Sequence, residues 1–265
     1  MSISLPAMYL SELHRSLKLW WSYRLEAVSS LLLWIIAFPL IILMFDSVAG
    51  GYGLDRRMAS LIGFLVWNLF AGLLDSTTIA ISDEAQEGPL ENVFVSSPAP
   101  LTIFLLRLAA TFTRQLLETI VLGVVLTVLL RIPVAFNAQA FVVILLTVLA
   151  VGGVGLALGG LALIYKNVAS IVNVVTLLAL FFTGAILPLN DLGIAFAILK
   201  YLLPTTWGID ALRQILIHGD TWLPLWENGT LLGLGAQAAM FLAIGIVVFN
   251  WGFRRAKLQG SLGIY

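Results

Sequence analysis

The sequence predicts an all-α polytopic membrane protein, and three observations carry that prediction. Hydrophobic side chains make up 60% of the 265 residues and charged ones only 11%, where soluble chains carry about 25% charged residues. Mean hydropathy is +1.03, more apolar surface than a 28.8 kDa chain can enclose in water. The apolar residues also fall in long runs with few charges, and about 20 such residues in a helix cross the hydrocarbon.

Taken in order, the leader comes first. Leu10, Leu13, Leu17, Trp20 and Trp21 recur at helical spacing between Glu12, Arg15, Lys18 and Arg24. That pattern predicts an amphipathic interfacial helix over 7–24, its tryptophans at headgroup depth. A cleaved signal is not expected, because the leader ends in Arg24 and Glu26 and no A-x-A-like site follows Phe45. Span one is expected at 27–46, with Pro39 toward its outer end, and span two at 58–82, interrupted only by Asp75. Span three, at 101–130, carries Arg107, Arg114 and Glu118. Pro133 and Asn137 mark a turn before span four at 139–165, and span five follows at 167–189. Residues 190–227 are apolar but broken by Pro204, Gly208, Gly219 and Pro224, which predicts short helices re-entering from the outer side. Span six is expected at 228–253, ahead of a tail over 254–265. Asn228-Gly-Thr230 matches a glycosylation sequon but reads as a helix cap.

Orientation follows from the bases. With the N-terminus in the cytoplasm, Arg15, Lys18, Arg24, Arg107, Arg114, Lys166, Arg254, Arg255 and Lys257 lie inside. Arg56, Arg57, Arg131, Lys200 and Arg213 lie outside, so nine against five puts both termini inside.

Several function classes drop out. Net charge is +0, which leaves no basic excess to displace counterions from nucleic acid. There are no cysteines, and the two histidines, His14 and His218, stand far apart without an HExxH, so no metal site is expected. No GxSxG, no histidine in any span and no close pair of intramembrane aspartates support an intramembrane enzyme.

Between spans two and three, residues 83–97 hold Asp83, Glu84, Glu87 and Glu91 and no base. Glu84, Glu87 and Glu91 share one helical face if Gly88-Pro89 only kinks the chain, and Leu90, Val93 and Phe94 add an apolar patch. On the residues alone the segment is either a solvated acidic loop or a docking surface for another protein.

Three stretches together resemble the type-2 (exporter) permeases of the ATP-binding-cassette (ABC) superfamily. The first is Glu84-Ala-Gln-Glu-Gly88-Pro-Leu90-Glu91-Asn-Val-Phe-Val-Ser-Ser97-Pro98. The second is Tyr201-Leu-Leu-Pro204-Thr-Thr-Trp-Gly-Ile-Asp210-Ala-Leu-Arg213, and the third is the basic end from Arg254 to Tyr265. Pro89 departs from the family, where threonine is more usual. The resemblance covers nearly the whole chain and implies a cytoplasmic coupling helix seated in a nucleotide-binding (ATPase) subunit, formed from Asp83, Glu84, Glu87, Gly88, Pro89, Leu90, Glu91 and Phe94. It also implies a second permease copy or a homologous permease, in the plasma membrane (bacterial inner membrane). The chain itself carries no G-x-x-x-x-G-K-[ST] loop, so it is not expected to be an enzyme or to hold a cofactor. ATP and Mg would sit on the partner subunit.

Ionisable residues inside a span are costly and point to function. Arg114 and Glu118, at i, i+4, are expected to neutralise each other. On span two Phe64, Asn68 and Asp75 share a face with Gly72, and Trp67 lies beside it. On span five Asn173, Thr176, Leu180 and Thr183 form a second stripe, flanked by Phe181 and Phe182. The resemblance makes these stripes the candidate substrate wall, with Asp75 either on the cavity or near the cytoplasmic end. Gly155 and Gly159 form a GxxxG, read as helix packing, and Asp210 with Arg213 reads as an ion pair in the outer hairpin. Apolar and aromatic stripes with a few amides suit a drug-like or lipid-like amphiphile. A polysaccharide or lipid-linked glycan is the alternative cargo, and an ion-coupled carrier or channel is the second alternative.

Overall fold

A computed structural model of the protein describes residues 5–48, 53–87, 100–133, 137–165, 168–182 and 203–259. The regular structure among them is helical: α1 (Leu5–Ser22), α2 (Arg24–Val48), α3 (Leu54–Glu87), α4 (Pro100–Leu130), α5 (Ala138–Ala162) and α6 (Ala169–Phe182). After these come α7 (Thr206–Arg213), a π turn (Gln214–His218), α8 (Trp222–Glu227) and α9 (Thr230–Gln259). Among the described residues, five helices are long and apolar enough to cross a bilayer: α2, α3, α4, α5 and α9. α6 is apolar but shorter.

α3 is the helix around which the others gather, packing against α4, α5, α6 and α7. Its side chains from Met58 to Leu74 are almost all covered, and Leu61, Phe64, Phe70, Leu73 and Leu74 are fully buried. α2 lies on its outside, where Phe38 stacks on Phe64 at 4.3 Å and Trp34 meets Trp67 edge-on at 5.2 Å. Pro39 sits inside α2 without ending it, as lipid-embedded helices tolerate.

The most extensive pairing joins α5 to α9. Lipid is as apolar as leucine, so close backbone approach and dispersion hold such a pair, and small residues permit the approach. A Cβ on Gly160 would stand 2.6 Å from the Cα of Phe249, and one on Gly153 would overlap the Phe241 backbone. From the other side, a Cβ on Gly245 or Gly252 would overlap the carbonyls of Gly153 and Gly160. Two glycines at i, i+7 on α5 therefore face two at i, i+7 on α9, and the two helices run parallel. Gly155, of the GxxxG, lies instead at ordinary contact distance from Leu108 and Thr77. Gly159 is buried.

α7 wedges between α3, α5 and α9 at one end of the bundle, here the hairpin end. Gly208 packs on Thr147, Trp207 fills the space over Gly233 at 2.6 Å from where a Cβ would be, and Gln237 Nε2 donates to the Leu203 carbonyl at 2.6 Å. Thr147 and Gln237 stand nine and seven residues inside the starts of their helices, so α7 reaches roughly 10 Å below the helix ends at 1.5 Å per residue. The opposite end, where α3 reaches Glu87 and α9 reaches Gln259, is the tail end.

Boundaries differ from expectation in two informative places. α3 does not stop at Ser82 but continues as one helix through Glu87, because Asp83 to Glu87 include good helix formers and no breaker precedes Gly88. α9 likewise carries Arg254, Arg255 and Lys257 on its last turns, past the expected end of span six at Phe253. Asn137 caps α5, its Oδ1 accepting from the Ala140 N–H at 2.9 Å. Asn228 does the same for α9, its Oδ1 accepting from the Thr230 N–H at 3.0 Å.

Candidate functional site

A line of polar contacts joins α3 to α4. At its hairpin-side limit Thr119 Oγ1 donates to Asn68 Oδ1 at 3.4 Å. One turn on, Gly72 leaves room for the buried side chain of Gln115, which a Cβ there would overlap. A turn further, Arg114 Nη2 donates to Ser76 Oγ at 2.9 Å. The same guanidinium donates through Nη1 to Glu118 Oε1, the intrahelical pair that the spacing predicts. Charge is thereby neutralised on α4 and tied across to α3.

α1 continues the seam. Tyr9 and Thr113 hydroxyls hydrogen bond at 2.8 Å, and Glu12 pairs with both Arg15 at 3.0 Å and Arg107 at 3.4 Å. The leader helix is thus fastened to α4 by polar contacts. Its apolar residues Leu10, Leu17 and Trp21 remain exposed.

The stripes assigned to a substrate wall separate in three dimensions. Phe64 is buried against α2, and Trp67 is buried with its indole N–H donating to the Thr176 carbonyl at 2.7 Å, a link from α3 to α6. Thr176 faces α3 beside Val172 and Ala179, and its hydroxyl bonds back to Val172 O at 2.9 Å. Asn173 and Phe181 point the other way and are exposed, with Leu180 half-buried between the two faces. Thr183 lies outside the described residues. Asp75 is exposed, and 21 residues beyond Leu54 places it about 30 Å along α3 toward the tail end. One continuous exposed wall does not form within the chain.

Trp67→Phe removes the α3–α6 hydrogen bond and part of an aromatic cluster. It is expected to lower stability by about 2 kcal/mol, read as a lower unfolding midpoint of the detergent-solubilised protein. An unchanged midpoint would make the bond dispensable.

Of the coupling residues, Asp83, Glu84 and Glu87 lie on the last turns of α3. Gly88, Pro89, Leu90, Glu91 and Phe94 lie outside the described residues. At the hairpin end, Arg213 donates from Nε and Nη2 to the Ala59 carbonyl at 3.2 and 2.9 Å, tying α7 to the first turns of α3. Burial draws the Arg213 guanidinium below its ordinary pKa, and Asp210, one turn away, pushes it back up. No group of histidines and acids able to hold a metal occurs among the described residues.

A bundle of apolar helices, with the short α7 packed into one end of it and an acidic extension on the central α3, is an architecture whose family an assignment can decide. Residues 9–217 match the family model described as ABC-2 type transporter, well over half of the chain. The chain belongs to the ABC-2 type transporter family. No curated protein gives a significant match to it. As an ABC-2 permease it is a multi-pass membrane protein, and membership implies pairing with an ABC ATPase subunit. The matched range takes in α1 at one limit and the π turn at the other. Both the polar seam and α7 therefore belong to the family portion of this permease.

Proposed function

We propose that this chain is the transmembrane subunit of an ATP-driven exporter that moves a drug-like or lipid-like amphiphile out of the cell, with ATP and Mg held by a separate subunit. One observation carries the reading. α3 is a single helix of 34 residues, about 50 Å at 1.5 Å per residue, against a hydrocarbon core of roughly 30 Å. Its last turns therefore stand in water at the tail end and carry Asp83, Glu84 and Glu87. A force applied to that acidic lever reaches Ser76, Asn68 and Trp67 through one rigid element, and from them α4 and α6.

The tail end is the cytoplasmic face in this reading, since Arg254, Arg255 and Lys257 cluster there. α6 is then the fifth of six spans, α1 lies at the inner interface, and the membrane is the bacterial inner membrane. The cargo pathway runs between two permeases, copies or homologues, and takes its lining from the outward residues Asn173 and Phe181.

Tagged permease isolated from its native cells is expected to bring an ABC ATPase with it. Neutralising Glu84, Glu87 and Glu91 together to glutamine is expected to cut that co-isolation about tenfold, the scale of lost charge pairs at an interface. The proposal fails if no ATPase accompanies the permease, or if the triple variant holds it as tightly as the parent.

A further inference from the structure

α9 turns Gly245 and Gly252 toward α5 and leaves a different face outward. On that outward face Met240, Ile244, Val247 and Trp251 are all exposed and follow one another at i, i+4, i+7 and i+11, which is a single stripe along the helix. From Met240 to Trp251 the stripe covers about 16 Å at 1.5 Å per residue, one leaflet's share of a hydrocarbon core of about 30 Å. It runs on in phase into Arg254, with Arg255 beside it, and both are exposed. The Arg255 guanidinium lies over the Trp251 ring, 5.4 Å from its centroid. Lys257 follows, also exposed, and α9 holds no acid from Thr230 to Gln259.

A second cation–indole pair marks the same end of the molecule. Where α1 meets α2, Arg24 lies over Trp21 at 5.6 Å, and both are exposed. α2 runs antiparallel to α3, because Trp34 meets Trp67 while Phe38, one turn later, meets Phe64. The start of α2 therefore stands at the tail end. Trp251 is there too, since Phe249 packs at 4.7 Å on Phe104 in the first turns of α4. Tryptophans beside bases gather at the level of the lipid headgroups, so Arg254 and Arg255 stand where phosphates lie.

This arrangement suits an amphiphile with an acyl chain and a net negative head. A free phosphate would leave the stripe unused, and a zwitterionic head would bring an ammonium toward three bases. A guanidinium stacked on an indole uses its face, while its donors point outward in its own plane and can hold a phosphate through two parallel bonds. We propose that the tail end of α9 binds an anionic phospholipid of the phosphatidylglycerol type, its phosphate at Arg254 and Arg255 and one acyl chain along the stripe from Trp251 to Met240. The site stands or falls independently of the exporter reading.

The full-length permease is placed in nanodiscs containing equal amounts of phosphatidylglycerol and phosphatidylethanolamine, and lipids retained after release are counted by native mass spectrometry. Phosphatidylglycerol is expected to be kept about tenfold over phosphatidylethanolamine, within the scale of a few bases at an anionic surface. Arg254→Gln with Arg255→Gln is expected to lower that preference to about twofold, and Trp251→Leu to lower it in part by releasing Arg255. Arg131→Gln removes an exposed base at the hairpin end and is expected to leave the preference unchanged. Retention in bulk proportion overturns the site, as does a preference that survives the double substitution or that falls equally with Arg131→Gln. If the double variant keeps its lipid but recovers less ABC ATPase, the basic end is a protein contact and the lipid site is likewise overturned.

Discussion

Gly252→Ala is expected to part α9 from α5 and to cost about 3 kcal/mol, the upper range of overpacking in a close-packed interior. The Cβ it adds would overlap the carbonyl of Gly160, and the reverse change at Gly160 would drive a Cβ to 2.6 Å from the Cα of Phe249. Both obstacles are backbone. A side chain can rotate aside, whereas a helix backbone can yield only by moving the whole helix. Separation then forfeits dispersion along the full length of the seam, and lipid offers no hydrophobic penalty that would press the helices back together. The measurement is the unfolding midpoint of purified protein, together with the fraction recovered as a single species. Gly235→Ala is the internal control, since nothing lies within 4 Å of a Cβ at that position on the same helix. It is expected to be neutral or to stabilise by up to about 1 kcal/mol through helix propensity. If both variants melt alike, the glycine seam is not what joins these helices.

How much of this was legible in the sequence depends on whether the partner was local. Apolar runs locate the long helices because the length needed to cross hydrocarbon is written in one stretch of chain. The Arg114–Glu118 pair was legible for the same reason: i, i+4 geometry decides it within α4. The α5–α9 seam was not. Gly153 and Gly160 sit in a glycine-rich run, but only the register against Gly245 and Gly252 distinguishes them from Gly155. A GxxxG spacing reports that close approach is possible without saying which face is used. Trp67 illustrates the same limit, because its acceptor is a backbone carbonyl on α6 that no side-chain pattern encodes. Spacing relates Arg213 to Asp210, which does act on it electrostatically, but its donation to the Ala59 carbonyl, 154 positions away, leaves no such trace. The extension of α3 past Ser82 did leave a signal. The charges from Asp83 on end the apolar run at Ser82, but the shared helical face of Glu84 and Glu87 and the lack of a breaker before Gly88 let α3 run on through them.

The second large effect concerns the ion pair on α4. Arg114 and Glu118 are largely covered, at 16% and 18% side-chain exposure. Glu118 stands 12 residues from the hairpin end of the helix, about 18 Å deep at 1.5 Å per residue. Arg114→Leu is expected to cost about 3 kcal/mol, because it strands the carboxylate at that depth and also removes the bond to Ser76. Glu118→Leu is expected to cost less. The longer arginine still holds Ser76 Oγ at 2.9 Å, and its stem can carry the charge toward the tail-side headgroups. The double variant, leucine at both positions, leaves no buried charge and is expected to recover most of the loss. A double-mutant cycle on unfolding free energies reads the coupling directly, and additive penalties would show that the pair is not the stabilising unit. The predicted asymmetry carries the mechanistic content. If α3 transmits movement from its acidic end, the Arg114–Ser76 bond is the cross-tie that makes α4 follow. Arg114→Leu should then reduce substrate-dependent ATPase activity of the assembled complex even at temperatures where the protein remains folded, while Glu118→Leu should leave it largely intact.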